Sequence, residues 1–416
     1  MIRRLIPAAF FILFSYVIYA YTFQGFKAVS AFLSPAIQNL IQWGYWTFFV
    51  LILFFVLSGI FNGFATKRFS PLFKIAIHAY IIILVSQFVF DIVLLGEDIY
   101  RVAYASLSSL ADVKSPNLSR NPLISQVGII LSVVPLVSFV YGMVKGKYKY
   151  TVHRHTLYFE DLPEVFDGFT ITQISDIHAG SFDDAEAVRH GIDLINAQRS
   201  DLFVFTGDLV NNEAKEIEPW IDHFRQITAR DGKYSILGNH DYGDYIAWNS
   251  PGDKVANLDK LKAYHREIGF RLLLDEHVVI HRNGKSITLL GVENWGEGFG
   301  KRGDLNKALM GTSAHDFKIL LSHDPSHWNA EVKNHPSKVH LTLSGHTHGM
   351  QFGIEKFGIK WSPVKYRYRH WAGLLQDNAR YLYINRGFGF LGFSGRVGIW
   401  PEITVIELKQ KASGTS

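Results

Sequence analysis

Five short blocks in the 416-residue chain carry side chains able to do metal chemistry: Asp176-Ile-His178, Gly207-Asp208, Gly238-Asn-His240-Asp241, His323 and Gly345-His-Thr-His348. Carboxylate, carboxamide and imidazole groups suit divalent Mn, Zn, Fe or Ni, and with no cysteine in the chain thiolate ligation is excluded. Asp176, His178, Asp208, Asn239, His323, His346 and His348 are too many donors for one tetrahedral site and enough for two open ones. Two dications roughly 3.5–4 Å apart repel by about 19 kcal/mol at an effective dielectric near 20. A bridging carboxylate and a bridging hydroxide must offset that repulsion. Asp208, central in chain order and next to Gly207, is the expected bridge. The hydroxide would be the nucleophile, because metal binding lowers the pKa of water toward about 7. The same pair of ions could hold two oxygens of a phosphoryl group during in-line displacement.

Each block follows an apolar run that reads as a strand: Ile171–Ser175, Leu202–Thr206, Ser235–Leu237, Ile319–Ser322 and His340–Ser344. Residues at the carboxyl ends of neighbouring strands meet at one edge of a sheet. Between these runs, Ala185–Asn196 reads as a helix capped by Asp183 or Asp184, and Glu216–Thr228 and Asn257–Ile268 as two more. Asn283-Gly284 marks a hairpin turn between His277–His281 and Ser286–Val292. Further strands are expected at Arg271–Leu274, Lys318–Leu321, Val339–Leu343, Tyr381–Asn385 and Ile403–Leu408.

The ordered set resembles the calcineurin-like metallophosphoesterase family, whose motifs read D-x-H, G-D, G-N-H-[DE], H and G-H-x-H. All five are present, in order, within about residues 165–408. The resemblance implies an α/β/β/α domain of two stacked sheets flanked by helices. It implies that Asp176, His178, Asp208 and His348 hold one metal, and Asp208, Asn239, His323 and His346 the other. His240 would contact the substrate phosphate and protonate the leaving oxygen, so His240, Asp208 and Asn239 are the expected catalytic residues. Arg386, Arg396 and Pro401-Glu-Ile403 match the family's closing pattern, and Arg386 or Arg396 could hold a phosphate bidentately, structural pairing being the alternative. Gly387-Phe-Gly-Phe-Leu-Gly392 matches a dinucleotide fingerprint, but no helix pattern follows it, so that reading is rejected.

The first 150 residues differ in kind. Leu5–Phe23, Trp43–Phe61, Ile75–Leu95 and Val127–Val144 are each long and apolar enough to cross a hydrocarbon core, which takes about 20 residues. No small-residue cleavage site follows Tyr19-Ala20-Tyr21, so the first run reads as a span rather than a removed signal. Dense positive charge (Arg3 and Arg4; Lys67, Arg68 and Lys74; Lys145, Lys147, Lys149 and Arg154) alternates with sparse: Lys27 alone, then Arg101, Lys114 and Arg120 diluted by Glu97, Asp98 and Asp112. That alternation places both termini in the cytoplasm. His78 and Asp91 lie in the third run, within a turn or so of its ends, where they could reach the interface.

The expected organisation is a four-helix transmembrane domain (1–145), a basic juxtamembrane linker and first strand (146–164), the phosphoesterase domain (165–410) and a tail (411–416). The linker reads either as lying along the membrane surface, with Tyr rings at headgroup depth and Lys near anionic lipid, or as a simple stop-transfer flank followed by a first strand, and the two are compatible. Gln351–Trp371 is rich in aromatic and basic residues and reads either as a packed hairpin or as a loop dipping into the interface. Trp248, Trp295, Phe299 and Trp328 either wall an apolar acyl or base pocket or simply pack.

A net charge of +5 without a long basic tract gives no nucleic-acid footprint, and no obligate protein partner is evident. The reading is a phosphoesterase anchored in a bacterial inner membrane, with its catalytic domain on the cytoplasmic face. Its substrate would be a phosphodiester or diphosphate, phosphorylated and lipid-linked. The layout is similar to membrane-bound phosphodiesterases of the family and to UDP-2,3-diacylglucosamine diphosphatases. The rival reading is a non-catalytic metal-binding scaffold or sensor, which loss of a ligand would favour; none is lost.

Overall fold

The computed structural model describes residues 2–66, 70–111 and 119–411. Lys67, Arg68, Asp112, Lys114 and the tail beyond Lys411 lie outside them. The chain divides into two compact units, Met1–Tyr141 and Gly142–Ser416.

The first unit is built on α1 (Ile2–Ser30), α2 (Pro35–Thr66), α3 (Pro71–Leu110) and α4 (Pro122–Val144). All four are long and apolar enough to cross a membrane. Each is longer than, or as long as, its apolar run, and α3 continues well beyond Leu95. Arg101, Glu97 and Asp98 are therefore helical rather than in a loop, and Arg120 pairs with Glu97 (3.2 Å) and Asp98 (2.7 Å). Asp91 is consequently mid-helix. It is buried and accepts the Thr22 hydroxyl of α1 at 2.8 Å, so it does not reach for the interface as expected. Ser15 and Tyr80 likewise join α1 to α3 at 2.7 Å. In a hydrocarbon environment such bonds are how polar side chains are satisfied.

The second unit stacks two six-stranded sheets. In chain order its strands are β1 (Thr151–Phe159), β2 (Phe169–Ile174), β3 (Leu202–Phe205), β4 (Lys233–Ser235), β5 (Arg271–Leu272), β6 (Glu276–Arg282), β7 (Lys285–Gly291), β8 (Trp295–Gly296), β9 (Gly300–Lys301), β10 (Lys318–Leu321), β11 (Leu341–Ser344), β12 (Ile354–Lys356), β13 (Ile359–Trp361), β14 (Gly373–Asp377), β15 (Arg380–Ile384) and β16 (Glu402–Gln410). One sheet runs β1-β16-β2-β3-β4-β5, the other β14-β15-β11-β10-β7-β6, and β8-β9 and β12-β13 are two-stranded ribbons. The central pairs β2-β3, β3-β4 and β10-β11 are parallel. Strands β3, β10 and β11 are buried throughout, which explains the continuous apolar run of β3 and of Ile319–Leu321 in β10; β11 buries Thr342 and Ser344 as well.

Ile171 and Val204 of one sheet meet Leu289, Ile319 and Leu343 of the other in the central core. The outer face of the first sheet packs under α5 (Ala185–Asn196), α6 (Ile221–Arg225) and α7 (Pro251–Ile268). This is the expected α/β/β/α arrangement. Asp184 caps α5, accepting from the Ala187 amide. The second expected helix is instead a 3₁₀ stretch, Ala214–Trp220, leading into the short α6, because Pro219 removes an interior donor. The third starts earlier than expected: Ser250 and Asp253 form a capping box and Pro251 occupies the first turn, where proline is favourable.

The linker packs into the second unit. Tyr150 stacks on Phe388 with ring centroids 4.4 Å apart, and Lys147 pairs with Asp183 at 2.6 Å. Trp295 and Trp328 are buried, Trp328 in the core behind the second sheet, so they pack rather than wall a pocket. No helix follows the Gly387–Gly392 loop, as its sequence requires.

Candidate metal centre

The site lies at the carboxyl ends of five strands drawn from both sheets, not along the edge of one. Asp176 and His178 follow β2, Asp208 follows β3, and Asn239 and His240 follow β4. His323 follows β10, and His346 and His348 follow β11. Backbone bonds between turns hold them in register: Asp176 N–H to Gly207 O at 2.9 Å, His178 N–H to Asp208 O at 3.1 Å, and Gly345 N–H to His323 O at 2.9 Å. Close approach demands glycine here. A Cβ on Gly207 would stand 2.6 Å from the Gly238 nitrogen, and Gly207 has φ +94°. Asp176, His178, Asp208, His346 and His348 all adopt positive φ, a sparsely populated conformation concentrated at functional turns.

The side chains form two groups. Asp176, His178 and His348 make one: His178 Nε2 lies 3.0 Å from His348 Nε2, and His348 Nε2 lies 3.2 Å from Asp176 Oδ1. Asp208, His323 and His346 make the other, with His323 Nε2 3.1 Å from Asp208 Oδ2. Asp208 stands between them. Its Oδ1 accepts the His240 amide at 2.8 Å, while Oδ2 lies 3.1 Å from His323 Nε2 and 3.6 Å from His178 Nε2. Asn239 turns Oδ1 to within 2.8 Å of His346 Nδ1 and gives its amide to the Tyr245 hydroxyl at 2.8 Å. His240 donates Nδ1–H to Asn211 O at 2.8 Å, leaving Nε2 without a hydrogen-bond partner among the described residues.

The chemistry of this donor set fits divalent cations. His323 gives Nδ1–H to Thr206 O at 2.7 Å, which directs Nε2 at Asp208, but off-line for a hydrogen bond. A second-shell carbonyl that fixes the tautomer is the usual support of a metal-binding histidine. Burial holds His178 well below its ordinary value, and the neighbouring His348 and His240 act in the same direction against Asp208, so it stays neutral. Burial also brings His346 down to about 4. Burial opposes charge on Asp176 and Asp208, but the surrounding histidines outweigh it and keep both carboxyls below the usual range. Burial likewise disfavours the His323 imidazolium, yet Asp208 and Asp176 outweigh it and lift the group to about 10. Two buried carboxylates thus gather positive charge, and a bound cation would displace the His323 proton.

Comparison with known proteins matches this geometry to a family. Residues 169–350 match the family model described as Calcineurin-like phosphoesterase. Residues 3–147 match one described as Probable Calcineurin-like phosphoesterase, transmembrane domain. A Bacillus subtilis (strain 168) protein, uncharacterized metallophosphoesterase YkuE, is 32% identical over 259 residues, 62% of this chain and 84% of that protein. The chain belongs to the calcineurin-like metallophosphoesterase family. A zebrafish (Danio rerio) transmembrane protein with metallophosphoesterase domain is 26% identical over 68% of this chain, which spans 62% of that protein. An uncharacterized metallophosphoesterase of Helicobacter pylori (strain ATCC 700392 / 26695) is 23% identical over 96% of this chain and 98% of its own. The chain is thus a membrane-associated metallophosphoesterase of a family that uses divalent metals.

Two expected contributors to this metallophosphoesterase site are not free to take a phosphate. Arg386 pairs with both Glu355 oxygens at 2.7 Å and with Glu402 at 2.5 Å. Arg396 is fully buried and donates to Gly389 O at 2.6 Å and Arg386 O at 2.9 Å. Its Nη2 also lies 3.2 Å from His348 Nδ1, so it braces the loop behind that histidine. Other residues have site contacts that sequence reading assigned no role. Asp241 accepts the amides of Asp208, Leu209 and Gly238 at 3.0, 2.8 and 2.9 Å, tying two metal loops together. Burial and the Asp208 charge push its carboxyl up to about 7. Asp324 lies 3.4 Å from His346 Nε2 and accepts the Tyr368 hydroxyl at 3.0 Å. Phe299, expected either to wall a pocket or to pack, has its ring centroid 4.5 Å from that of His346. The available signal was adjacency: Asp241 and Asp324 each directly follow a site histidine.

Proposed function

We propose that this protein hydrolyses a P–O bond at a two-metal centre, with Asp208 shared between the ions. One ion would be held by Asp176, His178, Asp208 and His348, the other by Asp208, Asn239, His323 and His346. The observation that carries the reading is the position of Asp208 Oδ2, 3.1 Å from His323 and 3.6 Å from His178, one member of each group. Bound divalent ions (Mn, Zn, Fe or Ni) supply a water of lowered pKa and positive charge that stabilises the phosphoryl oxygens.

The chain's own residues do the rest. Tyr245 and His346 orient Asn239 so that its oxygen faces the site. His240, pinned by the Asn211 carbonyl, keeps Nε2 for a phosphoryl oxygen or for proton delivery to the leaving oxygen. The membrane unit supports a lipid-linked substrate, a phosphodiester or diphosphate, since an anchored enzyme then searches in two dimensions. The alternation of basic residues supports placing the catalytic unit on the cytoplasmic face of a bacterial inner membrane.

The test is hydrolysis by the detergent-purified full chain of an aryl phosphate monoester, an aryl diester, a glycerophospholipid and a nucleotide-linked glycolipid diphosphate. Each is run with Mn, with Zn and with chelator. The expected result is metal-dependent cleavage favouring a diester or diphosphate. Preference for the monoester would overturn the substrate class, and no cleavage of any substrate by metal-loaded protein would overturn the enzymatic reading.

A further inference from the structure

The β12–β13 hairpin presents a face, with Ile354, Lys356 and Ile359, that the described residues leave exposed. Ile354 pairs with Trp361, Glu355 with Lys360 and Lys356 with Ile359, so the two faces of the ribbon are unambiguous. The Glu355–Lys360 face turns inward: Glu355 binds Arg386, and Lys360 donates to Ala372 O at 2.6 Å. The opposite face carries Ile354 and Ile359, which are 50% and 55% exposed. At the tip Phe357 is 96% exposed.

The turn residue is the informative one. Phe357 and Gly358 are the two central residues of a tight turn, with φ +54° and +79°. The β6–β7 turn of the same protein has φ +46° and +78° and uses Asn283-Gly284, the favoured pair for that geometry. Phenylalanine is a poor choice for a left-handed position, and this one is almost fully exposed among the described residues. Its exposure is useful only if something apolar meets it.

The charge beside it indicates what. Lys356, adjacent to Phe357 and opposite Ile359, is exposed, an aromatic–basic pair suited to the interface of an anionic bilayer. The hairpin hangs from Val397, which accepts the Gly353 amide at 2.9 Å and donates to Gln351 O at 2.7 Å. The preceding residue, Arg396, donates its amide to Gly142 O at 3.1 Å. Gly142, Arg396 and Val397 all belong to the second unit, so the hairpin is fixed on that unit's own scaffold.

We propose that the outward face of the β12–β13 hairpin, led by Phe357, inserts into the headgroup region of an anionic lipid bilayer.

Because the chain has no cysteine, Phe357→Cys gives a unique nitroxide-labelling site in full-length protein reconstituted into vesicles. Asn283→Cys, at the matched position of the other turn, is the reference. In vesicles containing phosphatidylglycerol, the label at 357 should be relaxed more by oxygen, which partitions into lipid, than by an aqueous nickel chelate, and the label at 283 the reverse. Lys356→Gln should lower the inserted fraction about fivefold relative to the free one, the effect of one basic side chain at an anionic surface. With the label moved to Ile359→Cys, adding Phe357→Asn, which suits the turn better, should lower the oxygen preference. Equal nickel accessibility at 357 and 283 would overturn the proposal. Protection of 357 from both reagents would also overturn it, showing a protein surface, such as a second copy, in place of lipid. The readout is independent of hydrolysis, so it stands apart from the outcome of the substrate panel.

Discussion

At the scale of single residues, the site is a set of candidate donors whose orientation is fixed by hydrogen-bonded neighbours. Tyr245 is the clearest case: its hydroxyl accepts the Asn239 amide and so decides which way the Asn239 oxygen points. Tyr245→Phe should weaken binding at the second metal position about 10–100-fold while leaving the first nearly unchanged, the usual cost of losing an outer partner. Titration with Mn followed by electron paramagnetic resonance would read this as separated affinities; an unchanged second affinity would remove Tyr245 from the support of Asn239. The seven donors and His240 were legible from sequence because each sits in a short block after an apolar run. Arg386 was not: its partners Glu355 and Glu402 lie 31 and 16 positions away, and only the fold brings three strand ends together. Asp241 and Asp324 stood next to legible histidines, but their roles depend on backbone amides and ring nitrogens whose direction no spacing reveals.

At the scale of elements, five turns do the positioning, and glycine sets how closely they approach. A Cβ on Gly345 would fall 1.8 Å from Ser175 Oγ and 2.4 Å from Asp176 Oδ2. Gly345→Ala must therefore push the β2 and β11 turns apart. The expected cost is about 1–3 kcal/mol of stability, the range for overpacking, together with loss of metal from the Asp176 group. Denaturant unfolding and metal analysis of the purified variant check both, and wild-type values in both would show that the contact between the turns is slack. Strands buried on both faces, such as β10, were legible as continuous apolar runs. Helix boundaries were less so, because Pro251-Gly252 looks like a break until Ser250 and Asp253 are seen to close a capping box over it. The convergence of two sheets on one site was hidden as well, since strand order across a sheet is a long-range property.

At the scale of the whole molecule, one chain joins a helical unit able to cross a membrane to a metal-binding α/β unit. The four spans were legible by length and composition alone. The length of α3 was not, because Glu97, Asp98 and Arg101 end the apolar pattern while helix continues, held by pairing with Arg120. The distribution of basic residues predicts that a reporter fused after Ser416 is active in the cytoplasm; a signal only from the outward side would overturn the proposed orientation.

The central claim is that one carboxylate serves two cations. It is tested most directly by counting metal ions per chain, by mass spectrometry of detergent-purified wild type and Asp208→Asn after saturation with Mn and removal of excess, with turnover measured on the same samples. Two ions per wild-type chain, both lost or greatly weakened in Asp208→Asn together with activity, is the predicted result. An Asp208→Asn protein that keeps either ion at wild-type affinity, or that turns over near the normal rate, would contradict the account.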